Sequence, residues 1–204
     1  WDYKTGEIKL RMLDSNWITR VQYSPAGDKL AVATYRGDIY VYSVPEYRRI
    51  REFFPRNSNL PFFAMSWSAD GKFLVAADLR IHVLDIEKNA EQDTLDPIHT
   101  DTIWGLVWSD NQKAIYSAAK DGQLIKWDQE TRTPSAVSTG QGKNYGLALT
   151  PDEQLLATAG SDGTIAIWNA KTLEKITVLE GRSFVTEVAF NQQGTALATS
   201  NLDG

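Results

Sequence analysis

The most constraining feature of this sequence is a repeat with a step of 41 residues. Three Asp-Gly pairs follow that step: Asp121-Gly122, Asp162-Gly163 and Asp203-Gly204. A hydroxyl residue precedes each pair and a tryptophan follows the first two: Ser117, Thr158 and Thr199, then Trp127 and Trp168. A fixed period of this length is typical of repeat architectures built from one supersecondary unit. Such scaffolds mostly present binding surfaces, so the repeat favours binding over catalysis.

Composition excludes several classes of protein. The 204 residues are 42% hydrophobic and 23% charged, with a net charge of −5. The acidic balance argues against a nucleic-acid partner, which favours a basic face. No apolar run approaches the length of a membrane span. The chain has no cysteine and two histidines, so disulfides and cysteine-ligated metals are excluded, and we expect no metal or cofactor.

Each repeat is predicted to contain four short strands. In residues 99–139 these are Thr102–Trp108, Lys113–Ser117, Gln123–Trp127 and Ser135–Thr139. Asp121-Gly122 is expected to form the tight turn between the second and third strands, because glycine supplies the positive φ of such turns. Short strands with regular turn signals favour an all-β sandwich, barrel or propeller, and no stretch shows helical periodicity.

Two segments, SAAKDGQLIKWD and ATAGSDGTIAIWN, resemble the signature of the WD-repeat β-propeller family. IHTDTIWGLVWSDN, ITRVQYSPAGDKL and ALTPDEQLL resemble its innermost strand and following turn. The resemblance implies an all-β propeller with about five four-stranded antiparallel blades. The blades are expected at 14–54, 61–98, 99–139, 144–179 and 184–204, with 1–13 as the end of a preceding or closing blade. Because family members most often have seven blades, we expect the chain to be part of a larger propeller.

The resemblance also implies a buried polar network inside each blade. In the third blade His99, Ser117, Asp121 and Trp127 match its positions, and a hydrolase triad is the weaker interpretation because no nucleophile elbow is present. Fourth- and fifth-blade matches are Thr158, Asp162, Trp168, Thr199 and Asp203, with Gly140 near the histidine position. The first two blades depart from the pattern at Val32, Arg36, Tyr42, Ala76 and Leu84. We therefore expect apolar packing there, with His82 as a packed or surface residue.

In this family the mouth of the central channel on the loop side commonly grips peptides. The inner-strand positions that point there are Thr19, Phe63, Trp104, Tyr145 and Thr186. Two interpretations of the three aromatic residues stay open. They pack between blades and close the channel, or they form a clamp for an arginine, lysine or apolar side chain of a partner. Nearby residues expected to enlarge this surface are Trp17, Phe62, Arg182 and Phe184.

The sequence favours a non-catalytic scaffold that binds a protein or peptide, as the sensor or assembly module of a larger protein. One alternative is a structural spacer that packs against other domains of its own chain. A propeller enzyme with a channel site is the weaker alternative, since Arg20 and Glu187 are the main charges beside the channel. The basic cluster Arg48, Arg49, Arg51 and Arg56 is interpreted as protection of an outer strand edge, with a patch for an acidic partner or nucleic acid as the minor alternative.

Overall fold

The computed structural model describes residues 4–8, 17–54, 60–95, 98–111, 113–181 and 183–203. These residues form antiparallel sheets in sequence order, here called blades 1 to 5. Blade 1 contains β1 (Ile18–Tyr23), β2 (Lys29–Thr34), β3 (Ile39–Ser43) and β4 (Arg49–Phe53). Blade 2 contains β5 (Ala64–Trp67), β6 (Phe73–Ala77), β7 (Ile81–Asp85) and β8 (Ala90–Leu95).

Blades 3 and 4 are also four-stranded, and the described part of blade 5 has two strands. Blade 3 contains β9 (Ile103–Ser109), β10 (Ala114–Ala119), β11 (Gln123–Asp128) and β12 (Pro134–Ser138). Blade 4 contains β13 (Asn144–Leu149), β14 (Leu155–Gly160), β15 (Thr164–Asn169) and β16 (Lys175–Glu180), and blade 5 contains β17 (Val185–Phe190) and β18 (Leu197–Asn201). No helix long and apolar enough to cross a membrane occurs in the part of the chain described.

The strand positions follow the sequence pattern closely, with one clear error at the outer strand of blade 2. This strand was expected near Asp93–Ile98 and lies at Ala90–Leu95. A tight turn containing Asn89, with φ of 52°, places Ala90 directly opposite Asp85, so pairing starts early. The strand expected at Ile8–Leu13 lies outside the described residues apart from Ile8, which is not in a strand.

The apolar core is divided among the boundaries between blades. One cluster of buried side chains lies at each boundary, from blades 1 and 2 through to blades 4 and 5. The first strand of each blade packs beside the first strand of the next, and these inner strands are joined to the outer ones through regular antiparallel pairing. Most of the stabilising burial is therefore contact between neighbouring repeats, as in other repeat proteins.

The Asp-Gly turns hold neighbouring blades close together. Gly122 and Gly163 have φ of 79° and 86°, which side chains other than glycine rarely adopt. A Cβ atom on Gly122 would lie 2.7 Å from the carbonyl oxygen of Gly142, at the next blade. The glycine of each turn therefore provides both the turn conformation and the space for the adjacent loop.

Candidate functional site

Four of the five inner strands, β1, β9, β13 and β17, carry one extra residue near their start. In β9, Gly105 pairs with Ala118 and Ile103 with Ala119, which leaves Trp104 outside the pairing. The same register shift leaves out the equivalent residues of β1, β13 and β17: Thr19, Tyr145 and Thr186. A β-bulge of this kind redirects the side chain of its extra residue. The bulges therefore explain why equivalent positions present their side chains together.

Four aromatic rings from blades 2 to 5 pack in a continuous row, here called the aromatic row. Phe63 and Trp104 are stacked, with ring centroids 4.7 Å apart and an interplanar angle of 3°. Tyr145 meets Trp104 edge-on at 5.5 Å, and Phe184 lies 4.5 Å from Tyr145 on the other side. All four are partly buried. The rings thus make packing contacts between blades while keeping part of their surface accessible.

Lys120 lies on the aromatic row. Its Nζ is 4.8 Å from the ring centroid of Trp104 and 5.4 Å from that of Tyr145, within the range of cation–π attraction. The described residues contain no ion pair to Lys120. Trp104 Nε1 is buried and has no hydrogen-bond partner among them. The aromatic row therefore already has a cation, Lys120, lying over it. Trp104 Nε1 is in addition a hydrogen-bond donor without an acceptor among the described residues.

The remaining residues expected at the mouth have different positions. Trp17 is 79% exposed and lies edge-on to Tyr35 at 6.1 Å. Phe62 is 0% exposed, because its ring fills the boundary between blades 1 and 2 and packs edge-on against His82 at 5.4 Å. The expectation that Phe62 contacts a partner is therefore wrong. Arg182 lies outside the described residues.

The polar side chains of blade 3 form a continuous chain of hydrogen bonds. Trp127 Nε1 donates to Ser117 Oγ at 2.9 Å, and this oxygen lies 2.8 Å from His99 Nε2. His99 Nδ1 lies 2.9 Å from Asp121 Oδ2. Since Ser117 accepts from the indole, its own proton goes to Nε2, and Nδ1 carries the proton given to Asp121. Burial lowers the pKa of His99, and Asp121 offsets this only in part.

Blade 4 builds the equivalent network with an amide in place of the imidazole. Trp168 Nε1 donates to Thr158 Oγ1 at 2.9 Å, and Thr158 donates to Gln141 Oε1 at 2.5 Å. Gln141 Nε2 then donates to the carbonyl of Thr164 at 2.8 Å. The residue that takes the role of the histidine is thus Gln141, which follows Gly140, the residue expected near that position. Asp162 is a turn residue whose Oδ1 accepts from the backbone and hydroxyl of Thr164.

The other two expected network residues lie in blade 5. Asp203 Oδ1 accepts a hydrogen bond from Ser183 Oγ. Thr199 lies on β18 and is exposed, since only two strands of this blade are described. These two residues therefore do not form an enclosed network in the part of blade 5 that the structure describes.

Blade 2 contains a charged cluster around a buried histidine, although apolar packing was expected there. His82 is 2% exposed, and its Nδ1 lies 2.6 Å from Glu91 Oε1. Its Nε2 lies 3.5 Å from Asp78 Oδ1 and makes no hydrogen bond within the described chain. Burial lowers the pKa of His82, but the two carboxylates outweigh it and the net shift is upward. No group of acids and histidines in the described ranges has the arrangement of a metal site.

Several charges beside the channel and in the basic cluster contact other parts of the protein. Arg20 on β1 pairs with Glu187 on β17 at 3.5 Å, which connects blades 1 and 5. In the basic cluster, Arg51 Nε donates to the carbonyl of Ile86 at 2.6 Å, and Arg49 lies 5.3 Å from the ring centroid of Tyr40. These contacts give Arg51 and Arg49 structural roles between and within blades. Arg56 lies outside the described residues.

Solved structures define the fold class. The chain is similar to a chain in the crystal structure of the mitotic checkpoint complex, with a TM-score of 0.87 and 22% identity, covering 98% of this chain and 63% of that one. It is also similar to the β-propeller domain of Cps50 (Swd1) from Myceliophteria thermophila, with a TM-score of 0.80 and 16% identity, covering 94% and 64% of the two chains. The fold is a β-propeller, as the sequence predicts.

Family models and relatives then place the chain more narrowly. A model described as the WD40 domain of anaphase-promoting complex subunit 4 matches residues 21–111, and the WD domain, G-beta repeat, matches residues 135–169. The chain belongs to the WD-repeat family. Propellers of this family serve as protein-interaction scaffolds, and the chain has the architecture of that class.

Curated relatives share part of the chain. Periodic tryptophan protein 2 of Saccharomyces cerevisiae is 28% identical over an alignment of 127 residues that covers 56% of this chain and 13% of the relative. The B-type cell cycle switch protein ccs52A of Medicago truncatula is 24% identical over an alignment of 119 residues that covers 57% of this chain and 24% of the relative. The aligned regions thus span about a quarter or less of these relatives.

Proposed function

We propose that the protein is a non-catalytic scaffold that holds a segment of a partner protein at the loop-side mouth of its central channel. The observation that supports this most is the aromatic row with Lys120 on it. Partly buried aromatic rings flanked by a charged group are typical of the residues that dominate interface energies. Similar chains named for a checkpoint complex and a cell cycle switch support an assembly role of this kind.

The position of Lys120 bears on the chemistry of the partner. An incoming lysine or arginine would be repelled by the ammonium group already lying over Trp104 and Tyr145. A carboxylate is attracted to that group, and an adjacent apolar side chain gains contact with the rings. We therefore propose a partner segment with an acidic residue beside an apolar one, in place of the clamp for a cationic side chain.

Selection from a displayed peptide library tests this proposal. Wild-type protein is expected to enrich peptides with neighbouring acidic and apolar residues, because both parts of the site are then used. Lys120→Glu should reverse the charge preference, and Tyr145→Ala should weaken binding roughly tenfold or more, as loss of an interface hot spot does. Lys72→Glu makes the same charge change on an exposed residue away from the mouth and should leave the selection unchanged.

The same selection separates the scaffold from the spacer alternative. Enriched peptides that bind wild type, Lys120→Glu and Tyr145→Ala equally would place binding elsewhere and contradict the proposed mouth. A selection that enriches no peptide, with folding of all variants verified by circular dichroism, would favour a spacer that packs only against its own chain.

A further inference from the structure

A cavity of about 170 Å³ lies at the boundary between blades 2 and 3. Its apolar walls come from both blades: Phe73, Val83 and Leu95, then Trp108, Ile115 and Trp127. Trp108 is near the end of β9, whereas Trp104 of the aromatic row is near its start, so the cavity and the mouth lie at opposite ends of the strands. The cavity is therefore a separate place from the site of the proposed function.

At the next boundary, between blades 3 and 4, a side chain of the protein itself fills the equivalent space. Tyr116 is fully buried there, in the apolar cluster that contains Leu156 and Trp168. Its hydroxyl donates to the carbonyl of Ala170 in the neighbouring blade at 2.8 Å. A phenol ring with one acceptor at its tip thus seals the boundary.

Blade 2 has a valine where blade 3 has this tyrosine. Val75 pairs with Val83 on the next strand just as Tyr116 pairs with Lys126, so the two residues are equivalent in register. Valine lacks the ring that crosses the boundary. Phe73 does not replace it, because its ring stacks on Trp108 at 5.9 Å and forms one wall of the cavity.

The acceptor for a phenol hydroxyl is also in place. Three residues occupy equivalent positions, because their backbone N–H groups donate to equivalent backbone carbonyls: Ile86 to Lys72, Gln129 to Lys113 and Ala170 to Gln154. The carbonyl of Ala170 accepts from Tyr116, and that of Ile86 accepts from Arg51 of blade 1. The carbonyl of Gln129, a residue that lines the cavity, accepts no hydrogen bond within the described ranges.

We propose that this cavity binds the phenol ring of a tyrosine on a partner protein. The ring occupies the space equivalent to that of Tyr116, and its hydroxyl donates to the carbonyl of Gln129. The volume is sufficient, since apolar cavities of roughly 150 Å³ bind benzene. Of the three charged residues at the cavity, Asp93 and Arg132 are paired with each other across the two blades, and Asp128 Oδ1 accepts hydrogen bonds from the backbone of Glu130 and from Thr131. Each charge thus has a partner within the protein, which favours a neutral ligand with a single polar group.

The test uses p-cresol, the side-chain analogue of tyrosine, titrated into the protein and followed by NMR. We expect saturable binding, and binding of toluene roughly threefold to tenfold weaker because it lacks the hydroxyl. Val75→Tyr fills the cavity from within and should abolish p-cresol binding. Tyr116→Val is the matched variant, which opens an equivalent cavity at the next boundary and should add a second binding site.

Several outcomes would overturn the proposal. Failure of p-cresol to bind folded wild-type protein, or unchanged binding to folded Val75→Tyr, removes the cavity as the site. Equal binding of toluene removes the hydrogen bond to Gln129. Binding of p-cresol without binding of N-acetyl-tyrosine amide limits the cavity to free small molecules and excludes a partner side chain. Peptide binding at the mouth is measured separately, so neither result depends on the other.

Discussion

At the scale of single residues, Gln141 and His99 show how two different side chains serve one network. Each residue receives a hydroxyl proton at one atom and donates through another, to Thr164 in blade 4 and to Asp121 in blade 3. An amide and a neutral imidazole both provide one acceptor and one donor at similar separation. The amide does not titrate, so the network of blade 4 is insensitive to pH while that of blade 3 is not.

The two histidines should make opposite contributions to the pH dependence of stability. Burial lowers the pKa of His99 below its usual 6.5, so its contribution is present above that value and is lost as pH falls. Asp78 and Glu91 raise the pKa of His82 despite burial, so its contribution is present below 6.5 and is lost as pH rises through the raised pKa.

Urea unfolding at about pH 5 and about pH 8 measures these contributions. The difference in unfolding free energy between wild type and His99→Gln should be smaller at the lower pH. The difference between wild type and His82→Gln should be smaller at the higher pH. The double variant has no histidine and serves as the reference, and parallel pH profiles for all four proteins would contradict both assignments.

At the scale of strands, the β-bulge gives two neighbouring residues of an inner strand different positions, one in the core and one in the aromatic row. Ile103 remains in the core at 1% exposure, while Trp104, the next residue, leaves the pairing and joins the aromatic row. A regular strand would turn these two side chains to opposite faces of the sheet. The bulge thus lets β9 keep its register with β10 on both sides of the extra residue.

Deleting Trp104 should remove the bulge and leave the pairing of β9 with β10 in place. Ile103 is opposite Ala119 and Gly105 is opposite Ala118, and these alanines are adjacent, so both pairs can form without the residue between them. Ile103 then keeps its place in the core, whereas a one-residue slip would remove it at a cost of roughly 2–5 kcal/mol. Thermal unfolding should therefore give similar melting temperatures for the Trp104 deletion and for Trp104→Ala, since both remove the ring and keep the register. A deletion that melts far below Trp104→Ala would show that the extra residue is needed to hold the register.

Much of the strand pattern was readable from sequence, and the bulges explain part of what was not. Apolar alternation and Asp-Gly turns mark strands because both reflect local backbone geometry. Phe62 and Phe63 look equivalent as candidate mouth residues, yet one fills a boundary and the other joins the row. Gln141 was missed because it lies one residue away from the expected position. Which of two neighbours faces the mouth depends on pairing that local composition does not encode.

At the scale of the whole molecule, stability is distributed over boundaries between neighbours. Each boundary has its own apolar cluster, so blades depend mainly on the blades beside them. The ion pair between Arg20 and Glu187 links blade 1 to blade 5. Both side chains are more than one third exposed, so water and salt weaken their attraction.

A double-mutant cycle on Arg20 and Glu187 should give a small coupling energy. For an exposed pair we expect about 0–1 kcal/mol, decreasing as salt is raised. Arg20→Ala, Glu187→Ala and the double variant are compared with wild type by urea unfolding. A salt-independent coupling well above this range would show that blades 1 and 5 stabilise each other directly, contrary to the nearest-neighbour description.

The extra residues of the inner strands have a practical consequence for protein engineering. Because Trp104 and Tyr145 take no part in strand pairing, their identity is not fixed by the register of β9 or β13. The same holds for Thr19 and Thr186. A library randomised at these four codons would sample many different binding surfaces on one unchanged backbone. The natural combination of two threonines, a tryptophan and a tyrosine is one member of that set, and new specificities can be selected from the others.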